Sequence, residues 1–300
     1  MRAFRAPRPA HCQRRRVLLT TAATAVVVAL AAGCSSPESE RTAAAPSAEA
    51  GVLPSAHVHA VAIDPGDGAL LLATHEGLIE VGADGALTPT GPVIDLMGFS
   101  VVGPDNYLAS GHPGLRVDLS QPVGLIESTD GGRTWAPLSR QGQSDFHALT
   151  ALGPAGALGW DGALQRSADG RTWEQLAIPA EPHTLAAAPQ GATVLATTAQ
   201  RLPRSTDAGA TWTRVDGAPL LQVVTWAADG SAVVGVDPAG TLWRSADDGG
   251  TWQQEAQLGS APHAVAAAVE DGQLRVVVVT DQGLLESADG GQTFTAVLGT

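Results

Sequence analysis

The chain has 300 residues, is 44% apolar and only 4% aromatic, and carries a formal net charge of −13 with no lysine. That apolar fraction suffices for a core, which must pack through Ala, Val and Leu rather than through rings. The acidic balance excludes charge-driven binding to nucleic acid or to a phospholipid surface.

In chain order, Arg14-Arg15-Arg16 precedes an apolar run over residues 17–32, then Gly33-Cys34 and a polar stretch containing Pro and Ser. The run is short for a spanning helix and reads as an export signal. Leu30-Ala31-Ala32-Gly33-Cys34 resembles a bacterial lipobox, with Ala31 where such boxes usually have leucine. The resemblance implies a signal peptide over 1–33, cut ahead of Cys34, whose thiol carries the lipid and anchors the chain to the outer face of the bacterial cytoplasmic membrane; an uncleaved membrane anchor is the alternative. Arg15-Arg16-Val17-Leu18-Leu19 also resembles a twin-arginine export signal, and ordinary secretion stays open beside it. With Cys12 removed and Cys34 acylated, no disulfide framework remains. Eleven arginines then face thirty acidic residues, a formal charge of −19. Residues 34–56 read as a flexible tether.

From residue 57 to residue 300 one motif recurs. Ser128-Thr129-Asp130-Gly131-Gly132-Arg133-Thr134-Trp135 returns from Ser167, Ser205, Ser245 and Ser287 at steps of 39, 38, 40 and 42 residues. A period near forty suits one four-stranded blade per repeat. In the last repeat, residues 264–269, 274–280, 283–286 and 293–298 read as strands A to D, separated by turn residues, with the box between C and D. The same grammar starts blade one at His59, blade two near Met97, and blades three to six at His147, His183, Gln222 and His263. In blade one the box has decayed to Gly82-Ala83-Asp84-Gly85. The expectation is an all-β, six-bladed propeller of antiparallel blades, in which blade six packs on blade one without a shared strand.

The box needs an aspartate to accept backbone N–H bonds, glycines free to take positive φ, and an apolar residue to pin the turn. Asp130, Asp169, Asp207, Asp247 and Asp289 are therefore read as structural. The five copies resemble the Asp-box (BNR) repeat of sialidases, sortilin-type receptors and photosystem assembly propellers. More narrowly, Asp95-Leu96-Met97-Gly98-Phe99, Leu108-Ala109-Ser110-Gly111-His112-Pro113 and Gly124-Leu125-Ile126-Glu127-Ser128 are similar to bacterial Asp-box lipoproteins labelled glycosylhydrolase or exo-sialidase-like. The resemblance leaves three roles open: a ligand-binding propeller, a glycoside hydrolase of exo-sialidase type, and an assembly or scaffold factor. A sialidase would need an arginine triad, a tyrosine nucleophile paired with a glutamate, and an aspartate acid/base. The sole tyrosine, Tyr107, falls in a strand and reads as a buried or packing residue rather than a nucleophile; Arg116, Arg140 and Arg201 are the remaining arginine candidates, and Glu76, Asp95 and Asp145 the carboxylate candidates. A Phe/Tyr-Arg-Ile-Pro segment is absent from the sequence.

Alternating strand direction places the A starts and B-to-C loops on one face, and the boxes on the other. His59, His147, His183 and His263 sit at A starts, His75 and His112 in B-to-C loops, and His57 just ahead of His59. This face is the expected site for a glycan, a small ligand, a protein or a transition metal, the last held by His59, His147, His183 and His263. Inheritance of one ancestral histidine by several repeats is the alternative origin. Trp160, in a loop of the same face, could stack on a sugar or pack within its blade.

Overall fold

The computed structural model describes residues 51–54, 57–189 and 191–299. The export segment, Cys34 and most of the tether lie outside the described residues. Among the described residues there is no helix, and six blades of four antiparallel strands succeed one another along the chain, the sixth carrying a fifth strand at its outer edge. Strand A of each blade is innermost: Val58–Ile63, Ile94–Gly103, Ala148–Leu152, Thr184–Ala187, Val223–Trp226 and Pro262–Glu270. Each borders the next and the sixth borders the first, so they enclose a central channel. The fold is the expected six-bladed propeller.

The boxes close by a repeated hydrogen-bond pattern. In blade two the Ser128 hydroxyl donates to Asp130 Oδ1 (2.9 Å) and accepts from the Gly132 N–H (2.8 Å). The Thr134 N–H and hydroxyl then cap the two oxygens of Asp130 at 2.9 and 2.7 Å. The same set recurs around Asp207, Asp247 and Asp289. Each box also reaches backwards: Trp135, Trp173, Trp212, Trp252 and Phe294 pack into the apolar cluster shared with the preceding blade. Gly132 (φ 81°) lies so close to blade one that a Cβ there would stand 2.3 Å from Leu78 Cδ2. The motif therefore folds its own hairpin and rivets neighbouring blades.

Two expectations are corrected. Gly51–Val52 forms a strand, parallel to Thr295–Gly299 at the outer edge of blade six, and the Leu53 N–H donates to the Gly299 carbonyl at 2.7 Å. The ring is thus stitched by chain assigned to the tether. The reason lies at the same seam, where blade one has lost its box aromatic. Leu53 and Val297 pack on the cluster shared by blades one and six, and Gly51 lies against the carbonyl of Gly85 in the decayed box. Blade two also begins earlier than expected. Its first two strands, Ile94–Gly103 and Asn106–Pro113, form one long bulged hairpin in which Asp95 and His112 are cross-strand partners. Asp95 therefore lies within strand A, not ahead of it, and His112 near the end of strand B, not in a loop.

Candidate functional site

The inner strands line a cavity of about 970 Å³ that extends from the histidine-bearing ends, at His57 and His147, to the A-to-B turns, at Pro65, Gly153 and Pro189. Its walls are small and aliphatic, through residues such as Ala60, Val101, Ala186 and Ala266. Polar groups gather at the mouth: His57, His59, His147, His183, His263, Asp145, Asp161 and Glu181, with Trp160 beside them. The described lining contains no arginine. Trp160 is half-buried, faces the cavity and packs on the core between blades three and four.

The histidines do not space themselves evenly around this mouth. His59 is the extra residue of a bulge between Val58 and Ala60, and His263 occupies the corresponding bulge of blade six. Bulges re-aim a side chain, and here they turn both toward blade one's rim. Four imidazoles converge there: ring centroids are 4.8 Å apart for His57 and His59, 4.4 Å for His59 and His75, and 5.7 Å for His57 and His263. Asp95 reaches in from blade two, its Oδ1 2.9 Å from His75 Nδ1 and 3.4 Å from His59 Nε2. His59 Nε2 and His75 Nδ1 are 3.3 Å apart.

Burial pushes the His59 pKa down to about 4, with repulsion from His75 and His57 adding to it and Asp95 opposing. The side chain is only 11% exposed, and desolvation of the imidazolium outweighs the carboxylate. His57 is shifted the same way, by burial first and then by His263 and His75. Both shifts favour the neutral imidazole, which presents one nitrogen lone pair.

His112 and His147 form a separate group, and His263, at the edge of the blade-one cluster, has a carboxylate of its own. His112 Nε2 and His147 Nε2 share Asp145 Oδ2 at 3.1 and 2.9 Å, and His263 pairs with Asp281 at 2.7 Å. His183 stands apart, its backbone N–H bonded to the Thr197 carbonyl. Of the four histidines expected to hold a metal, only His59 belongs to the group whose ligand atoms lie within 4.8 Å of one another; its companions are His57 and His75. The pair His57-x-His59 signals only nearness in sequence, since strand A begins at Val58 and His59 is bulged out of its alternation. Asp95's part in the cluster was not legible, because it depends on how blade two docks.

No sialidase-type constellation is assembled among the described residues. Tyr107 is 2% exposed and donates to Asp64 Oδ2 at 2.6 Å, at the turn end of the blades rather than the mouth. Burial, then that carboxylate, holds its hydroxyl protonated far above the usual range. Arg140 is spent on Ser144, on Asp161 at 3.3 Å and on the face of Trp173, while Arg116 and Arg201 are exposed in loops. Glu76 is exposed, and Asp95 and Asp145 each lie between two imidazoles.

No family model matches the chain, and no curated protein matches it. Solved structures match in fold. YCF48 bound to D1 peptide is 19% identical over 82% of this chain and 83% of that one, with a TM-score of 0.53. YCF48 from Cyanidioschyzon merolae is 17% identical over 81% and 85%, with a TM-score of 0.51. An ancestral GH74 enzyme is 14% identical over 82% of this chain but only 38% of its own, with a TM-score of 0.52. At such identities the likeness establishes the β-propeller fold and leaves function to the residues at the mouth.

Proposed function

We propose that this chain is an exported binding propeller of the Asp-box lipoprotein type, held at a membrane surface by lipid on Cys34, whose channel mouth receives a basic segment of another protein. The observation that carries this reading is the composition of the mouth, where Asp145 and Glu181 stand among imidazoles and no arginine lines the described cavity. A negative, partly enclosed surface attracts cations and repels carboxylated sugars. That argues against an anionic sialoside and for Lys- or Arg-bearing chain. The solved propeller bound to a peptide lends the reading support by analogy of fold.

The test uses the full chain in detergent, titrated with fluorescent basic, neutral and acidic peptides, with sialyllactose and neutral oligosaccharides as competitors. Basic peptides are expected to bind, to weaken as salt rises, and to lose about tenfold in affinity, or about 1.4 kcal/mol, in an Asp145→Asn, Glu181→Gln double variant. Equal binding of acidic peptides, displacement by a glycan, or turnover of fluorogenic glycosides would each overturn the proposal.

A further inference from the structure

His59 Nε2, His75 Nδ1 and Asp95 Oδ1 form a triangle with sides of 3.3, 3.4 and 2.9 Å. As a set of protein atoms alone it is poorly satisfied. Two ring nitrogens face each other, and a single proton can bridge them. Asp95 Oδ1 is buried and has no aligned hydrogen-bond donor among the described residues, although both nitrogens stand beside it. A buried carboxylate oxygen left in that condition calls for a partner.

The triangle is the right size for one. A point about 1.9 Å from all three atoms lies in its plane, so an ion slightly above the plane sits at the roughly 2.0–2.1 Å of a metal–imidazole or metal–carboxylate bond. His57, exposed on the rim, offers a further nitrogen within 4.8 Å of those of His59 and His75. His75 has 47% of its side chain exposed, which gives an ion a way in from solvent.

We propose that His57, His59, His75 and Asp95 bind one divalent transition-metal ion of the zinc or copper(II) class, with His59, His75 and Asp95 as the fixed ligands and His57 or water completing the shell. Neutral imidazoles with a single carboxylate suit these ions, whereas calcium and magnesium require several oxygens. The next seam supplies a comparison. There His112, near the end of strand B of blade two, lies 3.1 Å from Asp145, just ahead of strand A of blade three, and His147 makes an aligned 2.9 Å hydrogen bond to Asp145 Oδ2. The blade-one version differs in that the carboxylate oxygen shared by the two imidazoles has no aligned donor, whereas at the next seam the shared oxygen has one and the other oxygen, Asp145 Oδ1, is left without.

The full chain in detergent, stripped with chelator and dialysed, is titrated with zinc against a chromophoric chelator, and with copper(II) under electron paramagnetic resonance. One ion per chain is expected, with nitrogen hyperfine structure from at least two imidazoles. His75→Ala and Asp95→Asn should each weaken binding at least about 100-fold, beyond the 10–100-fold that loss of an outer partner costs. His112→Ala should leave it unchanged. Thermal melts confirm that each variant folds; the exposed His75 makes its replacement mild. Absence of stoichiometric binding, binding that survives a His59→Ala, His75→Ala double variant, or equal competition by calcium would overturn the proposal. Peptide titrations run in chelator read the mouth separately, so either proposal can fail alone.

Discussion

The box aspartates show how far a single side chain can be shifted by local bonding without burial. The Thr211 hydroxyl and N–H pull Asp207 down to about 2, the Thr293 hydroxyl and N–H do the same for Asp289, and the Thr251 N–H, then the Ser245 hydroxyl, for Asp247. A carboxyl whose folded pKa lies below its unfolded value of about 3.9 contributes stability that is fully present above that value and is lost as pH falls through the folded one. The melting temperature should therefore hold from pH 7 to about 5 and fall between about 4 and 2. A triple Asp→Asn variant at 207, 247 and 289 should flatten that acid limb, and an unchanged limb would remove the boxes as its source. These aspartates were legible as structural because their partners lie within four residues. The burial of Tyr107 was legible as well, but its hydrogen-bond partner was not, since Asp64 is 43 positions away.

At the scale of the element, glycines at positive φ, whether in a box like Gly132 or in a plain turn like Gly217, can carry two constraints that a sequence shows as one. Positive φ explains Gly217 (φ 76°), where nothing lies near an added Cβ, and Gly132 (φ 81°) alike. Only Gly132 also abuts another blade, with buried Leu78 in the way. Gly217→Ala should cost about 1–2 kcal/mol from the left-handed backbone. Gly132→Ala should cost about 1–3 kcal/mol more, from overpacking. Urea unfolding of the two variants checks the difference, and equal midpoints would mean that the glycine serves its own turn only. The bulges at His59 and His263 belong to this scale as well. Neither is marked by Gly or Pro at the bulged position, so alternation alone could not locate them.

For the whole molecule, the question is how the ring closes. Five seams carry a box aromatic, and the seam between blades six and one carries Gly51–Val52 and Leu53 instead. Leu53→Pro removes the N–H that Gly299 accepts and an apolar contact of that seam, and should lower stability by about 2–4 kcal/mol. Val52→Ala, at a side chain 63% exposed, should change it little. Unfolding midpoints that match for the two variants would show that this strand is ornamental to closure.

The sequence by itself determined the blade count, the strand directions, the face that carries the histidines and the structural role of the boxes. All of these follow from a period near forty and from contacts within a few residues, which repetition makes visible. Tertiary structure alone decided which histidines meet. His57, His59 and His75 come together with Asp95 because a bulge turns His59 and because the long hairpin of blade two carries its carboxylate across a seam. A repeat pattern states what each blade is made of, whereas convergence between blades depends on how two of them dock, and no single repeat encodes that.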